Sequence, residues 1–109
     1  MEGAALDRAI VAAQEPPLGS ARNPVRTQGP VGQRAYLSRL RCADLRAPSF
    51  DRSGSAGLSP YVNIADLYRV DCAGAGPGER QIYLDMYHAG HRETDAVPGF
   101  AIAGGRPGD

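Results

Sequence analysis

The sequence of 109 residues predicts an α+β domain: a small antiparallel sheet of three to five strands with one or two helices packed on one face. Three observations predict this class. Segments 61–72 and 81–88 alternate apolar and polar residues and are rich in β-branched and aromatic types, as half-buried strands are. A glycine-rich break at 73–80 separates them, so we expect a hairpin at the centre of the sheet. The N-terminal residues have high helix propensity.

The first predicted element is a helix over 4–14, because Leu6, Ile10 and Ala13 fall on one face of a 3.6-residue repeat. A pair of prolines ends it. Residues 15–33 are rich in Gly and Pro, which predicts an extended connector between the helix and the rest of the single domain.

The connector has room for a short edge strand at 25–28. Segment 34–42 is compatible with two structures. Tyr36, Leu37 and Leu40 suit one face of a helix. Tyr36, Leu40 and Cys42 would equally suit one face of a strand. We favour the helix, because Arg, Ala and Leu dominate the segment and it has no β-branched residue.

The remaining segments are predicted from turn residues and apolar content. Residues 43–60 are expected to be mostly loop, with a short strand at 49–52. Residues 89–94 are polar and irregular, and 97–102 has enough apolar mass to return to the core. The glycine-rich end, 104–109, is expected to fray.

Strand periodicity also predicts the register of the hairpin. The apolar residues of each strand share one face, and these two faces must pair, so the numbers of paired residues sum to an even value. We favour a sum of 154, because it creates two opposite-charge pairs across the strands. The predicted pairs are Val70 with Leu84, Tyr68 with Met86, Asp66 with His88 and Arg69 with Asp85.

Composition limits the kinds of partner. The 12 basic residues balance 12 acidic ones, so no net field favours nucleic acid or a membrane surface. The first 52 residues carry a net charge of +3 and the rest −3, and we expect these halves to pack together rather than to present a basic face for an anionic partner. The arginines of such a face would be Arg34, Arg39, Arg41 and Arg46. All the basic residues are arginine, which indicates a GC-rich bacterial coding bias.

Compartment and redox state depend on the ends of the chain and on two cysteines. No apolar run approaches the ~18 residues of a membrane span, and the acidic start is unlike a signal peptide. We expect a cytoplasmic protein if Met1 is the native start, whereas export stays open if the sequence was trimmed. Cys42 and Cys72 are expected to lie close together inside the fold, as a disulfide or as two buried thiols.

A cluster of metal-ligand residue types lies at the end of the second strand: Asp85, His88, His91 and Glu93. Within a strand, Asp85 and His88 point to opposite faces because their offset is odd. A metal site would therefore combine Asp66, His88 and His91, with Glu93 as a further candidate. The alternative, which we favour, is that Asp66 satisfies His88 and that His91 is an exposed loop residue.

The same Asp66–His88 pair is half of a hydrolase arrangement. Loop serines could complete it, but none lies in a Gly-x-Ser-x-Gly sequence. Tyr83 and Tyr87 on the outer face of the second strand suggest a recognition surface. The favoured alternative is that the N-terminal helix covers that face.

These observations favour a non-catalytic binding or interaction module of bacterial origin, with no cofactor and with an unknown protein or small molecule as its partner. The alternative function is a small metal-dependent or Asp-His hydrolytic protein that uses Asp66, His88 and His91.

Overall fold

The computed structural model describes residues 1–105. These residues contain two helices and two sheets, which confirms the predicted α+β class. The elements in chain order are α1 (Gly3–Ala13), β1 (Val25–Arg26), α2 (Gly29–Arg39), β2 (Leu40–Arg41), β3 (Ser49–Leu58), β4 (Ile64–Asp71), β5 (Glu79–Asp85) and β6 (Ala101–Ile102). The predicted frayed tail falls mostly on residues 106–109, which lie outside the described residues.

The larger sheet has the strand order β1-β5-β4-β3. Strands β3, β4 and β5 pair antiparallel, as predicted, whereas β1 runs parallel to β5, so the sheet is mixed. Strand β1 confirms the expected edge strand near residue 25. The second sheet is the short antiparallel pair of β2 and β6. It brings the segment at 97–102 back to the core, as its apolar content predicts.

The central hairpin forms, but its predicted register is wrong. Asp66 lies opposite Leu84 and Tyr68 opposite Ile82, so the paired numbers sum to 150 and not 154. The sum is still even, and the predicted apolar faces do pair. The register differs because β5 begins at Glu79, two residues before the expected start, and closes a tighter turn. As a result Arg69 binds Glu79 at 2.7 Å and not Asp85, which lies further along β5.

The hairpin has a core face and an outer face. The core face carries Asp66, Tyr68, Val70, Ile82 and Leu84, which are all buried. Helix α2 covers this face and contributes Tyr36 and Leu37 to the same cluster. The outer face carries Tyr83 and Asp85 of β5, and Arg26 of the neighbouring strand β1 lies opposite Asp85.

Segment 34–42 forms both of the structures that the sequence allows. Helix α2 continues to Arg39, and the chain then becomes extended as β2. The helix begins at Gly29, inside the predicted connector, because Pro30 in its first turn has the backbone angle that a helix needs and lacks the N–H that would be unsatisfied there.

The short strand predicted at 49–52 forms but continues to Leu58 as β3, so the prediction that the rest of 43–60 is loop is wrong over 53–58. Strand β3 is ten residues long although it is rich in Ser and Gly, which have low strand propensity. Hydrogen bonds to β4 override that propensity, and two irregularities, at 52–54 and 55–58, absorb the poor fit. The strand forms one edge of the sheet.

Cys42 and Cys72 form a disulfide with a Cα–Cα distance of 5.8 Å, which confirms their predicted proximity. Both are buried in the core cluster. At the other end of the domain, α1 packs loosely: Ala13 is buried, while Leu6 and Ile10 are half-buried. Neither helix in residues 1–105 is long and apolar enough to cross a membrane.

Candidate functional site

The carboxylate of Asp85 is the centre of a buried polar cluster. Its side chain is 0% exposed, although it ends β5 on the outer face. It accepts hydrogen bonds from Ser59 Oγ at 2.5 Å, from Asn63 Nδ2 at 3.1 Å and from the backbone N–H of Tyr87 at 3.1 Å. Asp85 therefore holds the turn between β3 and β4 against the end of β5.

His88 completes the cluster. Its Nε2 lies 3.2 Å from Asp85 Oδ1, but the two are poorly aligned and Nε2 has no well-formed hydrogen bond. The ring of Tyr61 packs edge-on against the imidazole at a centroid distance of 4.8 Å. The predicted pairing of His88 with Asp66 is therefore wrong.

The physical reason is that strand β5 ends at Asp85. Side chains alternate between faces only within a strand, so the odd offset from Asp85 to His88 no longer separates them. The chain turns after Asp85 and brings the imidazole back to the same side. The Asp-x-x-His spacing was visible in the sequence. The alternation of side chains that excluded an Asp85–His88 pair holds only if both residues lie in one strand, and β5 ends three residues before His88.

The pKa of Asp85 is below its ordinary value. Burial alone would raise it, but the nearby imidazole of His88 and the hydrogen bonds from Ser59, the backbone of Tyr87 and Asn63 favour the charged form and together outweigh burial. Asp85 is therefore an anion at neutral pH, and this buried anion organises the polar groups around it.

Asp66 lies on the opposite face and has a different role. One carboxylate oxygen accepts from Gln33 Nε2 of α2 at 2.8 Å, and the other accepts from Arg52 Nη2 of β3 at 2.7 Å. Asp66 thus links the helix to the sheet and does not approach the two histidines. Within residues 1–105, no three His, Cys, Asp or Glu side chains are arranged to hold a metal ion.

A cleft of about 580 Å³ opens between the C-terminal end of α1 and the segment at 91–98. Its walls combine prolines and other apolar side chains with about as many polar side chains, and polar atoms make up the larger part of the exposed lining. Its lining residues are Ile10, Gln14, Glu15, Pro16, Pro17, Leu18, Asn23, Pro24, Arg26, Tyr61, His91, Glu93, Asp95, Ala96 and Pro98.

His91 and Glu93 form one polar side of this cleft, with His91 Nε2 3.4 Å from Glu93 Oε1. The other carboxylate oxygen of Glu93 accepts from the backbone N–H groups of Thr94 and Asp95. The pKa of His91 is lowered, first by burial and then by the charge of Arg26, and these effects outweigh the carboxylate of Glu93. His91 is therefore a neutral imidazole at neutral pH.

Arg26 of β1 and Tyr61 of the turn between β3 and β4 line the same cleft. Arg26 is half-buried on β1 beside Asp85, and its guanidinium forms no hydrogen bond or ion pair with another residue of the described chain. Tyr61 is 1% exposed. Burial raises its pKa even though the charge of Arg26 acts in the opposite direction, so its hydroxyl stays protonated.

The predicted aromatic surface is only partly covered. Tyr83 is half-buried, but Tyr87 is 57% exposed, so the expectation that α1 would cover both is wrong for Tyr87. No sequence pattern pointed to Arg26 or Tyr61, because neither belongs to a motif. Their meeting with His91 depends on three segments that are far apart in the chain.

Comparison with known proteins found no matching family model, no significantly similar curated protein and no significantly similar solved structure.

Proposed function

We propose that this protein is a non-catalytic binding module that takes a small ligand in the cleft between α1 and residues 91–98. The observation that carries the proposal is the cleft itself. Its volume of about 580 Å³ lies in the range of small-molecule sites. Its lining combines prolines and other apolar side chains with polar groups of defined partners, and such polar groups fix the orientation of a ligand and provide specificity.

The walls of the cleft should also change little in conformation when a ligand binds. Pro16, Pro17, Pro24 and Pro98 line the cleft, and proline fixes the backbone angle φ, so little freedom is lost when a ligand packs against them. The buried Asp85 cluster lies directly beneath Tyr61, through His88, and keeps this side of the cleft rigid.

The test uses ligand-observed binding together with a pair of matched variants. A small-fragment library is screened by ¹H–¹⁵N NMR, and hits are assigned by the backbone signals that shift. Ile10→Trp fills the cleft from α1, whereas Val11→Trp places the same side chain on the solvent side of the helix, where Val11 is 66% exposed.

We expect hits to shift signals around the cleft, to lose affinity in Ile10→Trp by about ten-fold or more, and to keep it in Val11→Trp. Hits that scatter over the surface, or that bind Ile10→Trp and wild type equally, would contradict the proposal.

A second candidate function is acid–base hydrolysis at the same cleft. The observation that favours it is the neutral His91 beside Glu93, because a neutral imidazole oriented by a carboxylate can accept a proton from water. Ser59 is no nucleophile in this arrangement, since its hydroxyl donates to the buried Asp85. Turnover of ester or phosphodiester substrates that is lost in His91→Gln would favour the enzyme over the binding module.

A further inference from the structure

We infer that the cleft binds its ligand through a negatively charged oxygen group, a carboxylate or a phosphate ester, held by the guanidinium of Arg26. This inference rests on the proposed function, because it names the chemical class of ligand for the same cleft.

Arg26 lacks a partner, whereas the other half-buried arginines of residues 1–105 have one. Arg39 donates to the backbone carbonyl of Glu93, and Arg41 donates to the backbone carbonyls of Ser38 and Leu40. Arg26 is half-buried like Arg39, yet no residue of the described chain accepts from its guanidinium. A guanidinium has five N–H donors in a planar fork, which matches the oxygens of a carboxylate or phosphate.

The groups around that guanidinium also favour an anion. Tyr61 lines the cleft close enough to Arg26 for the two groups to interact electrostatically, and its hydroxyl donates to no residue within 1–105. A neutral hydroxyl beside a cation is a second donor for the same anion. His91 lines the same cleft, where the charge of Arg26 lowers its pKa.

The acidic residues of the cleft do not cancel this site. Glu93 is occupied by His91 and by two backbone N–H groups. Glu15 and Asp95 are exposed, where water and salt weaken their effect on a contact made at Arg26. Because these acids make the surrounding field negative, the attraction acts at short range, and we expect simple anions to bind in the millimolar range.

Protonation of His91 adds a second condition. The groups that face His91 are Arg26 on β1, Glu93 on its own segment and His88, and the first and last of these oppose its protonation. When the pH falls below the lowered pKa, the imidazole becomes a cation next to Arg26. An anion of constant charge should then bind more tightly.

The experiment is an NMR titration of ¹⁵N-labelled protein at fixed ionic strength. The probes are inorganic phosphate, acetate, sulfate and guanidinium chloride, each against wild type, Arg26→Gln, Arg26→Lys and Arg80→Gln. Arg80 is an exposed arginine of β5 that donates to a neighbouring backbone carbonyl, so it is the matched control for loss of one charge.

We expect phosphate or acetate to shift the signals of Arg26, Tyr61 and His91 saturably. Affinity should fall about ten-fold or more in Arg26→Gln, fall less in Arg26→Lys, which keeps the charge without the fork, and stay within about two-fold in Arg80→Gln. Tighter binding of acetate identifies a carboxylate ligand, and tighter binding of phosphate identifies a phosphate ester. Sulfate should bind more tightly at about pH 5.5 than at about pH 7.5.

Equal affinity in Arg26→Gln and wild type overturns the inference, and Arg26→Lys provides the same comparison if the glutamine variant does not fold. Tighter binding of guanidinium than of either anion also overturns it. A cleft that binds neutral or cationic fragments but no anion would leave the proposed function standing and refute this inference alone. A cleft that binds nothing would refute both.

Discussion

Replacing Asp85 with asparagine should lower the free energy of unfolding by about 3 kcal/mol. The side chain keeps its shape, but an NH₂ group, which donates hydrogen bonds, replaces one carboxylate oxygen, which accepts them. Asp85 accepts from three donors, on Ser59, Asn63 and the backbone of Tyr87, and the ring of His88 lies 3.2 Å away. The asparagine carbonyl can accept about half of them, and the remaining donors then face the new NH₂ group.

The magnitude follows from two opposed effects. Two lost hydrogen bonds to a charged group are worth roughly 1.5–3 kcal/mol each. Burying an amide costs less desolvation free energy than burying a carboxylate, and this difference offsets part of the loss. The backbone N–H of Tyr87 cannot reorient, whereas the side chains of Ser59 and Asn63 can, so the net cost falls near the lower end of the sum.

The assay is urea unfolding with the disulfide kept oxidised, compared with Asp51→Asn. Asp51 is a matched control because its carboxylate is 80% exposed and lies 3.7 Å from Arg69, and an exposed ion pair of this kind contributes little to stability. Ser59→Ala should cost an intermediate amount, about 1–2 kcal/mol, since it removes one donor. If Asp85→Asn unfolds at the same urea concentration as Asp51→Asn, the cluster does not stabilise the fold and the reasoning fails.

Two further predictions concern the disulfide and His91. Replacing Cys42 and Cys72 by serine should lower the free energy of unfolding by about 3–4 kcal/mol, because the disulfide closes a loop with a sequence separation of 30 residues in the unfolded chain. Chemical unfolding measures this change, and a loss below about 1 kcal/mol would contradict the prediction. Because the pKa of His91 is lower in the fold than in the unfolded chain, the unfolded chain binds more protons between those two values, so this residue makes stability fall as the pH drops from about 6.5. Urea unfolding at a series of pH values should show a shallower decline over that interval in His91→Gln, and identical slopes for variant and wild type would count against the buried, neutral imidazole.

The residues that stabilise the fold and the residues that line the cleft form different layers on the same side of the molecule. Asp85 and His88 form a buried layer, Tyr61 lies over it, and Arg26 and His91 reach the cleft above. Damage to the lower layer should therefore weaken binding only through loss of structure, whereas a change at Arg26 should alter binding in a folded protein.

The sequence alone determined the local elements. Apolar periodicity predicted the first helix, the central hairpin and which faces of its two strands pair, because these properties depend on residues a few positions apart. Apolar content also predicted that 97–102 returns to the core, and the burial of Val97, Phe100 and Ile102 agrees with it. Residue type predicted that Cys42 and Cys72 would meet inside the fold.

The tertiary structure decided what depends on where an element ends and on which distant segments meet. The tighter turn shifted the hairpin register, and pairing with β4 made a strand of a Ser- and Gly-rich segment that has little strand propensity of its own. Because β5 stops at Asp85, the partner of His88 became Asp85 and not Asp66. The cleft depends on Arg26, Tyr61 and His91, which no local pattern connects, since their proximity arises only when the sheet and the loops above it pack together.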